Sequence, residues 1–218
     1  ITRRKEAEQR IQESLKEKEV LLSEIHHRVK NNLAVISGLL DLQAFNEENE
    51  GVMHKLRESQ SRIQSIAMVH EKLYQSESLS SIQMDTYIDH LTGYISGVFV
   101  DQQQFDIEIR NNANPIALGV RQAVPCGLIL NELITNAFKH AFDGSEGMLQ
   151  IELFNEDNMV FMQVLDNGNG LPEDFSFTEA TSLGSTLVQT LVAQLDADLE
   201  VDSSPEGTTI GISFMLEE

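Results

Sequence analysis

Apolar side chains recur every three to four positions through the first part of the chain, at Ile11, Leu15, Leu22, Ile25, Val29, Ile36 and Leu40. Between them stand Glu, Lys, Gln and Arg, with Gly38 as the one glycine and no proline before residue 48. That pattern predicts one long amphipathic helix, coiled-coil-like over residues 1–20. The polar run NEENEG breaks it. A second helix follows, with Val52, Leu56, Ile63, Ile66, Ala67, His70 and Leu73 on one face. Two long antiparallel helices make a hairpin with a broad apolar stripe. Such a hairpin commonly closes with a second copy into a four-helix bundle, which predicts a homodimer, with a monomer as the alternative.

After SESLSS the periodicity changes. Asp85 to Phe99 reads as a helix, Phe105 to Arg110 as an alternating strand, and Ala123 to Phe142 as a helix opened near Pro125. Met148–Phe154 and Met159–Leu165 read as strands joined by the turn-rich NEDN. Gly168 to Gly184 is a loop, Ser185–Leu195 a helix, and Leu199–Asp202 and Thr208–Leu216 are strands around SSPEG. The fold class is α+β: a helical hairpin over residues 1–78, then an α/β sandwich over 79–218 with the sheet on one side and helices on the other.

Charge sharpens this division. Residues 1–72 hold 12 basic and 12 acidic side chains; residues 73–218 hold 3 basic and 23 acidic, the whole of the net −20. A surface that acidic argues against nucleic acid as a partner of the second domain. A small anion could still bind there if backbone N–H groups, a metal ion and a few cations offset the field. No apolar run reaches the ~20 residues of a membrane span. The single cysteine, Cys126, cannot form an internal disulfide. The chain therefore reads as cytoplasmic, or as the cytoplasmic part of a membrane-anchored sensor.

Within the first helix, EIHHRVKNNL places two histidines side by side. On a helical wheel His26 lies about 50° from the centre of the apolar stripe and His27 about 150° from it. His27 thus faces solvent, where a bulky substrate can reach it, and Arg28 and Lys30 in the same turn could attract a phosphate. The wheel alone leaves an ordinary solvated histidine as the other reading. In NELITNAFKH, Glu132, Asn136, Lys139 and His140 fall at i, i+4, i+7 and i+8 on one helix face; an Asn oxygen and a Lys ammonium suit Mg²⁺ and phosphate, and an ordinary amphipathic helix is the other reading. LDNGNG ends a strand with one carboxylate and two glycines, a group able to accept from an exocyclic amine with the backbone close by. SLGSTLV places Gly184 at a helix start, where N–H groups point outward.

Taken together these stretches resemble the sensor histidine kinases, in the subfamily whose phosphoacceptor box reads H-R-x-K-N. LLSEIHHRVKNNLAVISGLLDLQ resembles the acceptor box and IAMVHEKLY the second bundle helix. VPCGLILNELITNAFKHAF and VLDNGNGLP resemble the Mg²⁺-phosphate and adenine boxes of an ATP-binding domain shared with gyrase, a heat-shock chaperone and MutL. The resemblance implies ATP and Mg²⁺ as cofactors, and autophosphorylation of His27 with Arg28, Lys30 and Asn31 around it. It makes Asn136 the metal ligand, Lys139 and His140 phosphate contacts, and Asp166 the adenine contact. Gly168, Gly170, Gly184 and Thr208 shape the pocket, and Glu132 stands where related ATPases carry a catalytic carboxylate. A response-regulator receiver domain is the implied partner. ITRRKEAEQR resembles the exit of a PAS-like sensor, which implies that such a sensor lies upstream. Ser182 stands where the family usually has glycine, and Arg28 where commoner kinases carry an acid beside the histidine. A degenerate kinase serving as a scaffold, and an ATPase or serine kinase of the same nucleotide fold, are the competing readings.

Overall fold

Forty-five residues of helix formers without a proline fold as α1 (Thr2–Asn46), and after a three-residue break α2 (Glu50–Gln75) returns against it. The computed structural model describes residues 2–75, 81–100, 107–142, 146–172, 175 and 182–217. The expected loop from Gly168 to Gly184 and the strand start at Phe105 fall partly outside these residues. So do the side chains of His26, His70, Ile11, Leu15 and Leu22. By contact the chain divides into two units, Ile1–Ser80 and Ser81–Glu218.

In the first unit Asn49 caps α2. Its Oδ1 accepts from the Gly51 and Val52 N–H groups at 3.0 and 3.2 Å, satisfying donors that the first helical turn leaves over. The wheel predicts a single apolar stripe on α1, and the structure splits it. Val29, Leu33 and Leu40 are half-buried and Ala44 is buried, whereas Ile25 is 54% and Ile36 45% exposed. Leu21, Val35, Leu39 and Leu42 lie open as well. One partner helix covers only one flank of a stripe wider than about 100°.

The second unit opens with β1 (Ser81–Gln83), paired antiparallel with β3 (Ala117–Gly119). These strands are too short for alternation to announce them. The main sheet has the order β2-β4-β5-β7-β6, from β2 (Ile107–Ala113), β4 (Gly147–Glu156), β5 (Met159–Asp166), β6 (Asp198–Ser204) and β7 (Gly207–Met215). Among the described residues only the β2–β4 pair is parallel. Leu149, Ile151, Leu153, Val160, Met162, Ile212 and Phe214 form one buried face, as the period of two requires. Phe154 and Phe161 stack at 5.0 Å on the other. Asp157 and Asn158 both take positive φ in the two-residue β4–β5 turn, the geometry that matches strand twist.

Helices α3 (Met84–Val100), α4 (Val120–Asn136) and α5 (Leu183–Gln194) complete the α+β layer. The start of α4 corrects the sequence expectation, because the helix begins three residues before Ala123 and Pro125 lies inside it. Proline's missing N–H removes the bond to the Arg121 carbonyl, and Arg121 is exposed to solvent. Gln122 ties this first turn to the chain end: its amide donates to the Met215 carbonyl at 2.7 Å and accepts from the Glu217 N–H at 3.1 Å. After Asn136 the helix widens into a π turn, Ala137–Ala141. π turns are rare and recur at functional sites.

Candidate functional site: a nucleotide-sized cavity and an exposed histidine

The π turn, the end of β5 and the start of α5 converge on a cavity of about 700 Å³. Asn136 at the end of α4 and His140 in the π turn line it, with Asp166 at the end of β5, Gly170 in the turn that follows, Ser182 and Ser185 at the start of α5, and Thr208 from β7. Leu133, Ala137, Ile210 and Phe175 add apolar walls. That volume is within the ~300–1,000 Å³ of small-molecule and cofactor sites, and apolar walls with a few converging polar groups are their usual lining.

Asp166 is held rather than merely placed. Gly168 N–H donates to its Oδ1 at 2.9 Å, and the Thr208 backbone N–H also reaches the carboxylate. Partial burial nevertheless raises its pKa above the ordinary Asp value, the two N–H bonds working in the opposite direction. Behind it, Asn167 locks the turn to β4, accepting from the Met148 N–H at 2.7 Å. Gly168 packs so closely that a Cβ there would lie 2.3 Å from the Ala141 carbonyl oxygen. Asn169 N–H donates to that same oxygen at 3.0 Å, so the turn is docked on the end of the π segment. Gly170 has φ +74°, and a Cβ would meet the Ser204 carbonyl oxygen at 2.1 Å. Leu171 N–H donates to Ser203 Oγ at 2.8 Å, and Ser203 Oγ lies 3.1 Å from Thr208 Oγ1. Thr208 thereby braces the same end of the cavity.

Ser182 is the N-cap of α5. Its Oγ accepts from Ser185 N–H at 3.1 Å. The Leu183 and Gly184 amides ahead of that bond have no intrahelical acceptor. The expectation of one polar face on α4 is altered by the π turn. A wider turn takes more residues, so His140 stays beside Asn136 at the cavity, while Lys139 is half-buried and not among the lining residues. Glu132 is 4% exposed, inside α4 and also away from the lining. Gly168 and Gly184 are likewise not among the lining residues. Sequence reading missed Leu133, Ala137, Asn169, Phe175, Ser185 and Ile210. Ile210 was within reach of it, two residues past Thr208 and hence on the same side of β7.

In the first unit, His27 is exposed on α1. Arg28 Nε donates to Glu24 Oε1 at 2.7 Å, and Asn31 is exposed. Lys30 Nζ donates to Glu71 Oε1 of α2, also at 2.7 Å. Among the described residues no cluster of three or more His, Cys, Asp or Glu forms a metal cage. No described helix is long and apolar enough to cross a membrane.

A helical hairpin with a solvent-facing histidine, followed by a nucleotide-sized cavity in an α/β layer, is the architecture of a histidine kinase core. Residues 24–99 match the histidine kinase family, and residues 122–218 match the family of histidine kinase-, DNA gyrase B-, and HSP90-like ATPases. The chain belongs with the histidine kinases: a histidine kinase domain followed by an ATP-binding domain of that ATPase type. It is 35% identical over 182 residues to the sensor histidine kinase PdtaS of Mycolicibacterium smegmatis, covering 82% of this chain and 36% of that protein. The blue-light-activated histidine kinase 2 of Erythrobacter litoralis is 27% identical over 203 residues, 90% of this chain and 57% of that protein. The chain thus spans about a third of PdtaS. The solved histidine kinase domain of the Erythrobacter litoralis EL346 blue-light activated kinase superimposes with a TM-score of 0.69 at 26% identity, covering 89% of this chain and 90% of that one.

Proposed function

We propose that this chain is the catalytic core of a two-component sensor, which uses Mg²⁺-ATP to phosphorylate His27 and then passes the phosphoryl group to an aspartate on a response-regulator receiver domain. The observation that carries the reading is the single cavity gathering Asn136, His140, Asp166, Gly170 and Thr208, on the same chain as an exposed His27.

Asp166 accepts from the exocyclic amine of adenine, and a guanine carbonyl at that place would meet a carboxylate instead. Leu133, Ala137 and Ile210 pack the base, and Gly170 lets the backbone come close. The phosphates extend toward Asn136, His140 and the Leu183 and Gly184 amides at the start of α5. The donor set suits Mg²⁺: one amide oxygen from Asn136, with phosphates and water completing the shell. When bound, the ion neutralises phosphate charge. Lys139 lowers the local negative potential of an otherwise acidic unit.

His27 attacks as the neutral imidazole. A histidine N–P bond forms, the P–O bond to the ADP leaving group breaks, and the imidazole proton passes to solvent. Arg28 lies next to it, where its exposed guanidinium is available to the incoming phosphate once it leaves Glu24. Glu132 is buried, so its part is to hold α4 in place rather than to take that proton. The open Leu21, Ile25, Val35, Leu39 and Leu42 flank of α1 is the face for a second copy, giving a homodimer.

Incubation with γ-labelled ATP and Mg²⁺ tests the reading on the wild type, His27→Gln and Asn136→Ala. Label that is acid-labile, alkali-stable and lost in both variants supports it. Phosphate release without labelled protein marks an ATPase, and acid-stable label a serine kinase. Absence of nucleotide binding marks a scaffold.

A further inference from the structure

Lys30 stands three residues after His27, and its ammonium is already engaged. Nζ lies 2.7 Å from Glu71 Oε1 on the neighbouring helix. We propose that Lys30 and Glu71 are positioning residues, a strut between α1 and α2 that holds the face carrying His27 in register. Lys30 is then not a cation kept for the incoming phosphate. The proposal rests on the reading of His27 as the acceptor.

The contrast with Arg28 supports this assignment. Arg28 pairs with Glu24 within the same helix, both side chains more than half exposed at 75% and 57%. Such an i,i+4 pair spans one turn of one helix and ties nothing else down. Lys30 and Glu71 are 41 residues apart in sequence, with side chains 44% and 41% exposed. On the wheel Lys30 lies between His27 and the flank of α1 that α2 covers, marked by Val29, Leu33 and Ala44. Its stem therefore runs over the edge of the helix contact, and its head ends on α2. The apolar contact nearby is thin: Val29 and Leu33 are only half-buried, and Ile25, one turn before, is open. Where packing is thin, a cross-helix charge pair fixes the sliding and rotation that packing leaves free. A half-exposed pair contributes little to global stability, so its value lies in geometry. In-line transfer is sensitive to that geometry, and a misplacement of about 1 Å costs up to ~100-fold in rate.

A charge swap tests the strut. Lys30→Glu and Glu71→Lys are each measured for kcat and for the KM for ATP, then combined in one protein; Lys30→Arg is the conservative control. Thermal unfolding and ATP binding are followed in parallel. The expected result is a fall of roughly tenfold in kcat for each single swap, with KM and ATP affinity unchanged. Most of the rate returns in the double swap and in Lys30→Arg. If Lys30 instead served the phosphate, Glu71→Lys would leave the rate intact or raise it, and the double swap would stay as slow as Lys30→Glu. Either result overturns the strut. A wild type that binds ATP but labels no histidine overturns the acceptor reading itself, which separates the two failures.

Discussion

Replacing Asp166 with Asn separates what the cavity does from what holds it together. The amide keeps an oxygen for the Gly168 N–H, now at 2.9 Å, but presents an NH₂ donor where a carboxylate accepted. A hydrogen bond to a charged group contributes about 1.5–3 kcal/mol, so ATP affinity should fall about 10- to 150-fold. Stability should move the other way. Burial raises the folded-state pKa of this carboxyl above its ordinary value. Its contribution to stability is therefore fully present at low pH and is lost as pH rises through the raised value. The Asn variant has no such loss. Its Tm without nucleotide should equal or exceed the wild type's at pH 7, with the difference shrinking as pH falls below the ordinary Asp range. Calorimetric titration with Mg²⁺-ATP and thermal unfolding at pH 7 and pH 3 measure both effects. Unchanged affinity refutes the assignment.

Three further outcomes follow from the same geometry. Gly168→Ala pushes a methyl toward the Ala141 carbonyl oxygen, 2.3 Å away without relaxation, and should cost about 1–3 kcal/mol by urea unfolding. An unaltered midpoint would show the turn to be loose. His27→Gln should abolish labelling while leaving ATP affinity unchanged by calorimetry, because the histidine belongs to the other unit; lost affinity would contradict this. Leu39→Glu with Leu42→Glu should turn a wild-type dimer into a monomer by sedimentation, since both side chains are more than half exposed at 56% and 61%. A wild type that is already monomeric contradicts the proposed use of that face.

The long elements were readable because their periods are long. The apolar spacing of α1 and α2 and the alternation of β4, β5 and β7 persist over enough residues to distinguish helix from strand. The three-residue strands β1 and β3 are too short to show a period. The wheel located His27 on the solvent side because that needs only the helix itself. Which flank of the stripe α2 covers depends on a second element, so the wheel alone could not separate Ile25 and Ile36 from Val29 and Leu33. Asp166, Gly168 and Gly170 stood out because a strand end with two glycines is locally unusual. Phe175, Ser185 and Ile210 did not, since their place at the cavity is a matter of tertiary arrangement. Nothing in AFKHA signals a π turn, and a regular wheel therefore set Lys139 on the same face as His140. The Lys30–Glu71 pair, spanning both helices of the hairpin, was equally invisible.

The central claim is that the cavity bordered by Asn136 and Asp166 serves the imidazole of His27. Mass-spectrometric mapping of the protein after incubation with Mg²⁺-ATP, kept alkaline throughout, tests it most directly. A single phosphoryl group on residue 27 is the predicted result. Phosphate on another side chain, or none on a protein that binds ATP, would contradict it.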